Sequence, residues 1–311
     1  MGSDVALSAR PIRLLVGFSQ GSVSNIVARL LAPALEQALG QAVHIDQCPG
    51  ENGAIAAERL AQAAPDGFTL GMAVPTHLIG SLIGEVQRYD PLADFAPIAM
   101  LARNPMVLAV SSKLGVASVQ ELIALARARP GELAYGASAV GGGPHLGAVL
   151  FSALTGVSLQ RRVYDETNVL FDDLAAGRIA LTFNNPTSVL PQARLGRLKM
   201  LAVTSALPSA LVSGVPTLAS SGVPGYEVTS WVGVLAPARV PPLVLARLHD
   251  GVRRAVDAAG VIEGLRSLGL DSVQDTAGSF ALHLRTEWQR WLAFARVHRD
   301  EFPGLRVGVP G

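Results

Sequence analysis

The sequence predicts an α/β protein in two lobes, on three observations. Short apolar runs alternate with amphipathic helical stretches along most of the 311 residues. Two long extended segments, residues 98–110 and 228–236, interrupt that alternation. A second α/β series lies between them, and three helical patterns follow. Strand–helix–strand units of this length imply a mainly parallel sheet with right-handed crossovers. A chain that crosses out and returns gives a discontinuous first lobe, with a second lobe inserted and a cleft able to close by hinge bending.

Each element follows from its pattern. Residues 14–18 read as a strand. Residues 24–39 read as a helix, with Ile26, Val27, Leu30, Leu31, Leu35 and Leu39 on one broad face and Gly40 as its stop. Residues 42–46 form the next strand, 52–64 a helix, and Pro65-Asp66-Gly67 a turn into a strand at 68–74. Residues 89–95 are polar and proline-bearing, and Arg103-Asn104-Pro105 interrupts the first crossing. Ser118 and Glu121 have capping-box spacing and open a helix to about residue 128. Strands at 133–136, 159–163, 179–183 and 199–204 enclose helices at 145–154 and 169–176. The closing helices fall at 242–258, 261–268 and 277–296, the last with Phe280, Leu284, Trp288, Trp291 and Leu292 as a core stripe.

Half of the residues are hydrophobic and 16% are charged, ample material for a core. A net charge of +1 gives no electrostatic case for nucleic acid or an acidic membrane surface. No apolar run reaches the ~18 residues of a membrane span. The first ten residues lack the apolar core of a secretory signal, and Met1-Gly2-Ser3 reads as an expression remnant that leaves room for a removed one. The single cysteine, Cys48, cannot form an internal disulfide and reads as a small buried filler. The six histidines are scattered without metal-ligand spacing, so neither a metal nor another cofactor is expected.

The stretch Gly17 to Asn25 turns from a strand into a helix through Gly21, Ser22 and Ser24. Unpaired N–H groups converge at such a helix start and suit an anionic group. Many α/β proteins carry such a turn and leave it empty. The stretch Tyr135 to His145 repeats the arrangement, with Ser138 and three consecutive glycines, but matches neither a dinucleotide fingerprint nor a P-loop. Tyr164-Asp165-Glu166 and Asn184-Asn185-Pro186 also follow strands. Asp165 and Glu166 have two explanations: carboxylates favour a helix start, or one receives a cationic or amide group of a ligand. Asp172-Asp173 reads as a solvated face. A serine hydrolase or transferase built on Ser138 and His145, with Asp172 or Asp173 as third member, has the wrong chain order and lacks the sharp nucleophile turn.

Taken together, the motifs resemble the Bug-type solute-binding receptors of tripartite tricarboxylate transporters. They are RPIRLLVGF, IVARLLAPALEQALGQ, PGENGAIAAERLAQAAPDGFTL, YDPLADFAPIAMLARNPMVLAV, LAYGASAVGGGPH, LAAGRIALTF, LKMLAVTS, GVPTLASSGVPGYE and WVGVLAPARVP, in that order. The resemblance implies a two-lobed periplasmic-binding-protein fold of type II, with two crossing strands as hinge. The lobes would be residues 10–104 with 232–298, and 105–231. It further implies a monomeric periplasmic protein that is not an enzyme, takes a small carboxylate or amino acid, and delivers it to the membrane subunits of the transporter. Sensing without transport is the alternative outcome of the same binding. By position, the ligand loops are Phe18, Ser19, Gln20, Gly21, Ser22, Ser24 and Asn25, then Pro75 and Thr76, and in the other lobe Ser138, Gly143, Pro144, His145, Tyr164, Asp165 and Asn184. The chain departs from the family pattern in three places. Asn25 and Asn184 stand where an aspartate is usual, and Asp165-Glu166 follows Tyr164 where a basic residue and glycine are usual.

Overall fold

The computed structural model describes residues 10–83, 88–137 and 142–297. In chain order the first elements are β1 (Ile12–Val16), α1 (Val23–Leu39), β2 (Val43–Gln47), α2 (Ala54–Ala61), β3 (Thr69–Ala73) and the short α3 (Thr76–Ile79). Then come β4 (Phe95–Pro105), β5 (Val107–Ser111), α4 (Val119–Ala128), β6 (Ala134–Ala137), α5 (Gly143–Thr155) and β7 (Gln160–Val163). The series continues with α6 (Thr167–Ala176), β8 (Leu181–Asn184), α7 (Pro186–Arg194), β9 (Leu198–Val203) and β10 (Thr229–Pro237). It ends with α8 (Pro242–Val256), α9 (Ala259–Ser267), β11 (Asp271–Ser272) and α10 (Ala277–Val297).

The chain divides into two compact units. Of the described residues, unit 1 takes those up to Ala102, Trp231–Ser267 and those from Ser272 on; unit 2 takes Arg103–Ser230 and Leu268–Asp271. One sheet has six strands in the order β11-β4-β10-β3-β1-β2, the other five in the order β7-β6-β8-β5-β9. Strands β1, β2 and β3 are parallel, as their helical connections require. So are β6, β7 and β8. The expectation of mainly parallel pairing fails at the strands that lack such connections. β10 runs antiparallel to β3, and β5 antiparallel to both β8 and β9. These strands arrive by an extended path rather than through a helix, so no right-handed crossover constrains their direction.

In unit 1, α1 buries Val27, Leu31, Leu35 and Leu39, at roughly 1.5–3 kcal/mol for each large side chain removed from water. Gly40 ends it in the left-handed conformation, φ 66°, and returns its N–H to the Glu36 carbonyl. The expected helix over 52–64 is shorter. Asn52 and Gly53 have φ of 47° and 96°, which delays the α-helix to Ala54, and Pro65 disfavours helical backbone before it. On α10, Phe280, Leu284 and Trp291 are buried as the stripe predicts, but Trp288 and Leu292 are only partly covered and line a cavity. Cys48 is buried, and its sulfur accepts from Arg59 Nη1 at 2.9 Å.

In unit 2, Phe171, Leu174, Val107, Ala109 and Val203 share one buried cluster. Ser118 Oγ caps α4 by accepting from the Glu121 N–H at 3.1 Å, and Glu121 Oε2 accepts from the Ala117 N–H at 2.7 Å. Glu121 therefore reaches one residue beyond the capping position. Helix α7 was not expected from the sequence. Pro186 sits in its first turn, where a missing N–H costs nothing, and Pro191 is accommodated inside.

Candidate functional site

In unit 1, three loops follow the carboxyl ends of parallel strands: 17–22 after β1, 48–53 after β2, and 74–75 after β3. Open α/β sheets hold ligands at this end. The first loop is a tight turn into α1. The Ser22 N–H donates to the Ser19 carbonyl at 3.2 Å, and Gly21 takes φ 85°. Ser22 is the N-cap; its Oγ accepts from the Asn25 N–H at 3.3 Å and lies 3.4 Å from Ser24 Oγ. Ser24 and Asn25 are buried, whereas Ser19, Gln20 and Gly21 are exposed. The loop rests on the second one. A Cβ at Gly17 would meet Gly53 Cα at 2.7 Å, and one at Gly53 would meet the Phe18 ring at 3.0 Å.

The second loop contributes residues that sequence reasoning did not single out. Glu51 and Asn52 adopt φ of 46° and 47°, a left-handed region that costs non-glycine residues free energy and gathers at functional sites. The available signal was the turn string Pro49-Gly50-Glu51-Asn52-Gly53. The third loop is tied to it, because Thr76 Oγ1 donates to the Asn52 carbonyl at 2.9 Å. Pro75 directly precedes α3. One residue further, His77 is buried between Tyr89 and Phe95, with Nε2 3.0 Å from the Pro91 carbonyl. Burial pushes its pKa down to about 4, partly offset by that hydrogen bond.

In unit 2, a cavity of about 240 Å³ is lined by Gly143, Pro144, Tyr164 and Asn184, with Met106, Thr167, Leu170, Asn185 and Ser230. Four of the expected residues thus share one concavity. Gly143 and Pro144 open α5 close against β5's neighbour Met106, whose sulfur would lie 2.7 Å from a Cβ at Gly143. Asn184 is buried at the end of β8, and the side chains of Asn104 and Asn185 hydrogen-bond at 2.7 Å. Tyr164 OH donates to Asp173 Oδ2 at 2.7 Å, and Asp173 Oδ1 accepts from Arg178 Nε at 2.7 Å. Desolvation first, then this hydrogen bond, pushes the Tyr164 pKa up to about 12. Hydrogen bonds from Arg178 and then Tyr164 hold the Asp173 carboxyl below its ordinary range. The reading of Asp172-Asp173 as a solvated face holds for Asp172; Asp173 is recruited by Tyr164.

The other expected residues fall elsewhere. Asp165 is exposed before α6, and Glu166 is the N-cap without a side-chain capping bond. His145 is buried, 0% exposed, on the first turn of α5. Ser138 lies outside the described residues. Among the described residues no group of His, Cys, Asp and Glu could hold a metal ion, and no helix is long and apolar enough to cross a membrane. A larger cavity of about 550 Å³ in unit 1 lies between loop 90–97 and α10 and contains none of the expected site residues.

Residues 27–296 match the model of the tripartite tricarboxylate transporter family receptor, TctC. The chain is 32% identical to Protein BugT of Bordetella pertussis over 291 residues, covering 93% of this chain and 89% of that protein. Among solved structures it is similar to Rpa4515 of R. palustris with adipate, at 36% identity and a TM-score of 0.75, covering 93% of this chain and 97% of that one. It is also similar to MatC from Rhodopseudomonas palustris with bound malate, at 26% identity and a TM-score of 0.71, covering 91% and 97%. The family is one of periplasmic solute-binding receptors, not of enzymes, and it is two-lobed. On the family match and the length of the likeness, this chain belongs to the Bug-type receptors of tripartite tricarboxylate transporters.

Proposed function

We propose that this receptor captures a small carboxylate, a dicarboxylate or an amino acid, in the periplasm and delivers it to the membrane subunits of a tripartite transporter. One observation carries the choice of ligand: α1 and α5, one in each unit, open directly behind the candidate loops with no acidic residue in the first turn. Their unpaired N–H groups and positive dipole ends favour a carboxylate, and no fixed negative charge on the helices opposes it. The relatives that hold adipate and malate support the same class.

The binding residues in this reading are Phe18, Ser19, Gln20, Gly21, Ser22, Ser24, Asn25, Pro75 and Thr76 in unit 1. In unit 2 they are Ser138, Gly143, Pro144, His145, Tyr164, Asp165 and Asn184. Backbone N–H groups, hydroxyls and amides give contacts that bridging water can complete. The test is a thermal-shift screen of protein stripped of endogenous solute, with adipate, malate, other small dicarboxylates and amino acids. A ligand at 100 times its Kd stabilises the folded state by about 2.7 kcal/mol. A rise in melting temperature with at least one of these acids is expected; no rise with any of them overturns the ligand class.

A further inference from the structure

The first turn of α1 holds a polar atom with no structural use. Asn25 is 1% exposed, and its Nδ2 has no hydrogen-bond partner among the described residues. An unpaired buried amide donor is a cost that a folded chain ordinarily avoids. The identity of that atom is fixed by chemistry. Asn25 Oδ1 accepts from Arg29 Nε at 3.1 Å, and a guanidinium can only donate, so the oxygen faces Arg29 and the NH₂ faces away. Arg29 is itself exposed and lies one helical turn on, at the i+4 position. A second amide supports the same picture. Gln47, the last residue of β2, is paired with Val16 at the end of β1, beside the start of the Gly17–Ser22 turn. Its Nε2 is buried and also lacks a partner among the described residues. This corner of unit 1 therefore combines a 17-residue helix's N-terminus with two unmatched amide donors and no acid in the first turn.

We propose that Arg29 is a positioning residue: by occupying Asn25 Oδ1 it leaves Nδ2 as a fixed donor at the start of α1, so that this end of the site selects a carboxylate or carbonyl oxygen and rejects an ammonium group. The inference rests on the receptor reading above and sharpens its ligand class. Without Arg29 the amide can turn over, and the selection is lost although the side chain of Asn25 remains.

The test has two arms. In the first, the ligand-free proteins are melted. Asn25→Leu removes the unmatched donor at nearly constant volume, so it melts at or above the wild-type temperature. A fall of more than about 5 °C, larger than a ~1 kcal/mol loss needs at this chain length, shows that the amide is held by the protein and overturns the proposal. In the second arm, adipate and malate are titrated calorimetrically. Asn25→Leu weakens the acid that binds by about tenfold or more, the worth of one hydrogen bond to a charged acceptor. Asn25→Asp weakens it further, because a carboxylate then meets a carboxylate. Arg29→Met weakens it roughly three- to tenfold, and Arg29→Lys restores part of the loss, a recovery that a merely structural role does not give. Wild-type binding that Asn25→Leu and Arg29→Met leave unchanged overturns this inference and spares the receptor reading. Wild-type protein that binds neither these acids nor any other carboxylate overturns both.

Discussion

Tyr164 OH donates a 2.7 Å hydrogen bond to Asp173 Oδ2, across a turn and one and a half helical turns of α6. The phenol proton is thereby committed to Asp173, and the carboxylate is held ionised by Arg178. Towards the unit 2 cavity Tyr164 can offer a lone pair but no proton. A ligand group that meets it must be a hydrogen-bond donor, or reach it through water. The same bond sets its titration. Loss of the proton from Tyr164 places two negative oxygens side by side, and the pKa rises to about 12. Ultraviolet titration of the wild type and Tyr164→Phe should differ by one phenol with a midpoint near 12. A difference centred near 10 means that the bond to Asp173 is not made.

His77 makes stability depend on pH in the mildly acid range. Its pKa is lowered from 6.5 to about 4 in the folded state, chiefly by burial. Between those values the unfolded chain binds more protons, so stability is full above about pH 6.5 and falls as the pH drops. The loss is complete below about pH 4 and amounts to roughly 3 kcal/mol at 1.36 kcal/mol per pKa unit. His77 adjoins Thr76, so the first effect of protonation falls on a segment that carries a candidate ligand residue. His77→Phe should flatten the pH dependence of the melting temperature between pH 7 and 4. A slope as steep as that of the wild type assigns the acid sensitivity to other groups.

What could be read from the sequence divides along a physical line. Periodic burial is local, so α1 with its Gly40 stop and the Ser118-capped α4 were visible within a residue or two. The two crossings were visible because extended apolar runs of that length have no helical alternative. Strand direction was not, since the antiparallel pairing of β5 and β10 depends on partners far away in the chain. Helix α7 was hidden by Pro186 and Pro191, and because it buries little beyond Pro186 and Val189. The candidate loops stood out as small residues between a strand and a helix. The roles within them did not: Asn25 becomes informative only when Arg29 is seen on its oxygen, and Asp173 only when Tyr164 is seen to reach it. Glu51 and Asn52 were passed over because a turn string does not reveal which residue takes the left-handed backbone.

Gly17 tests whether the first two loops of unit 1 hold each other in place. Added at this position, a Cβ would lie 2.7 Å from Gly53 Cα and 3.1 Å from the Gly53 carbonyl oxygen, both backbone atoms that cannot swing aside. Gly17→Ala should therefore cost about 1–3 kcal/mol, the usual result of overpacking. It should also weaken binding of whichever acid the wild type takes, because relief of the clash moves Phe18 or the Glu51–Gly53 turn. Chemical denaturation and titration of the one variant check both effects. Wild-type values for the two would show that the loops are independent.

The indole of Trp231 tests what secures the last helix within unit 1. Trp231 is 1% exposed, and its Nε1 donates to Glu287 Oε2 at 2.6 Å; Glu287 is itself only 5% exposed. His283, one turn earlier on α10, places Nε2 3.1 Å from the same carboxylate oxygen and sets its ring edge-on to the indole. The three side chains join β10 to α10 through polar contacts inside an otherwise apolar seam that includes Phe280. Removing one partner of such a contact costs more than the contact itself contributes, because the other is left buried and unmatched. Glu287→Leu should destabilise the protein by about 1–3 kcal/mol. Glu287→Gln keeps an acceptor at nearly the same place and should recover most of that loss. Equal denaturation midpoints for Glu287→Leu and wild type would show that the seam is held by its apolar packing alone.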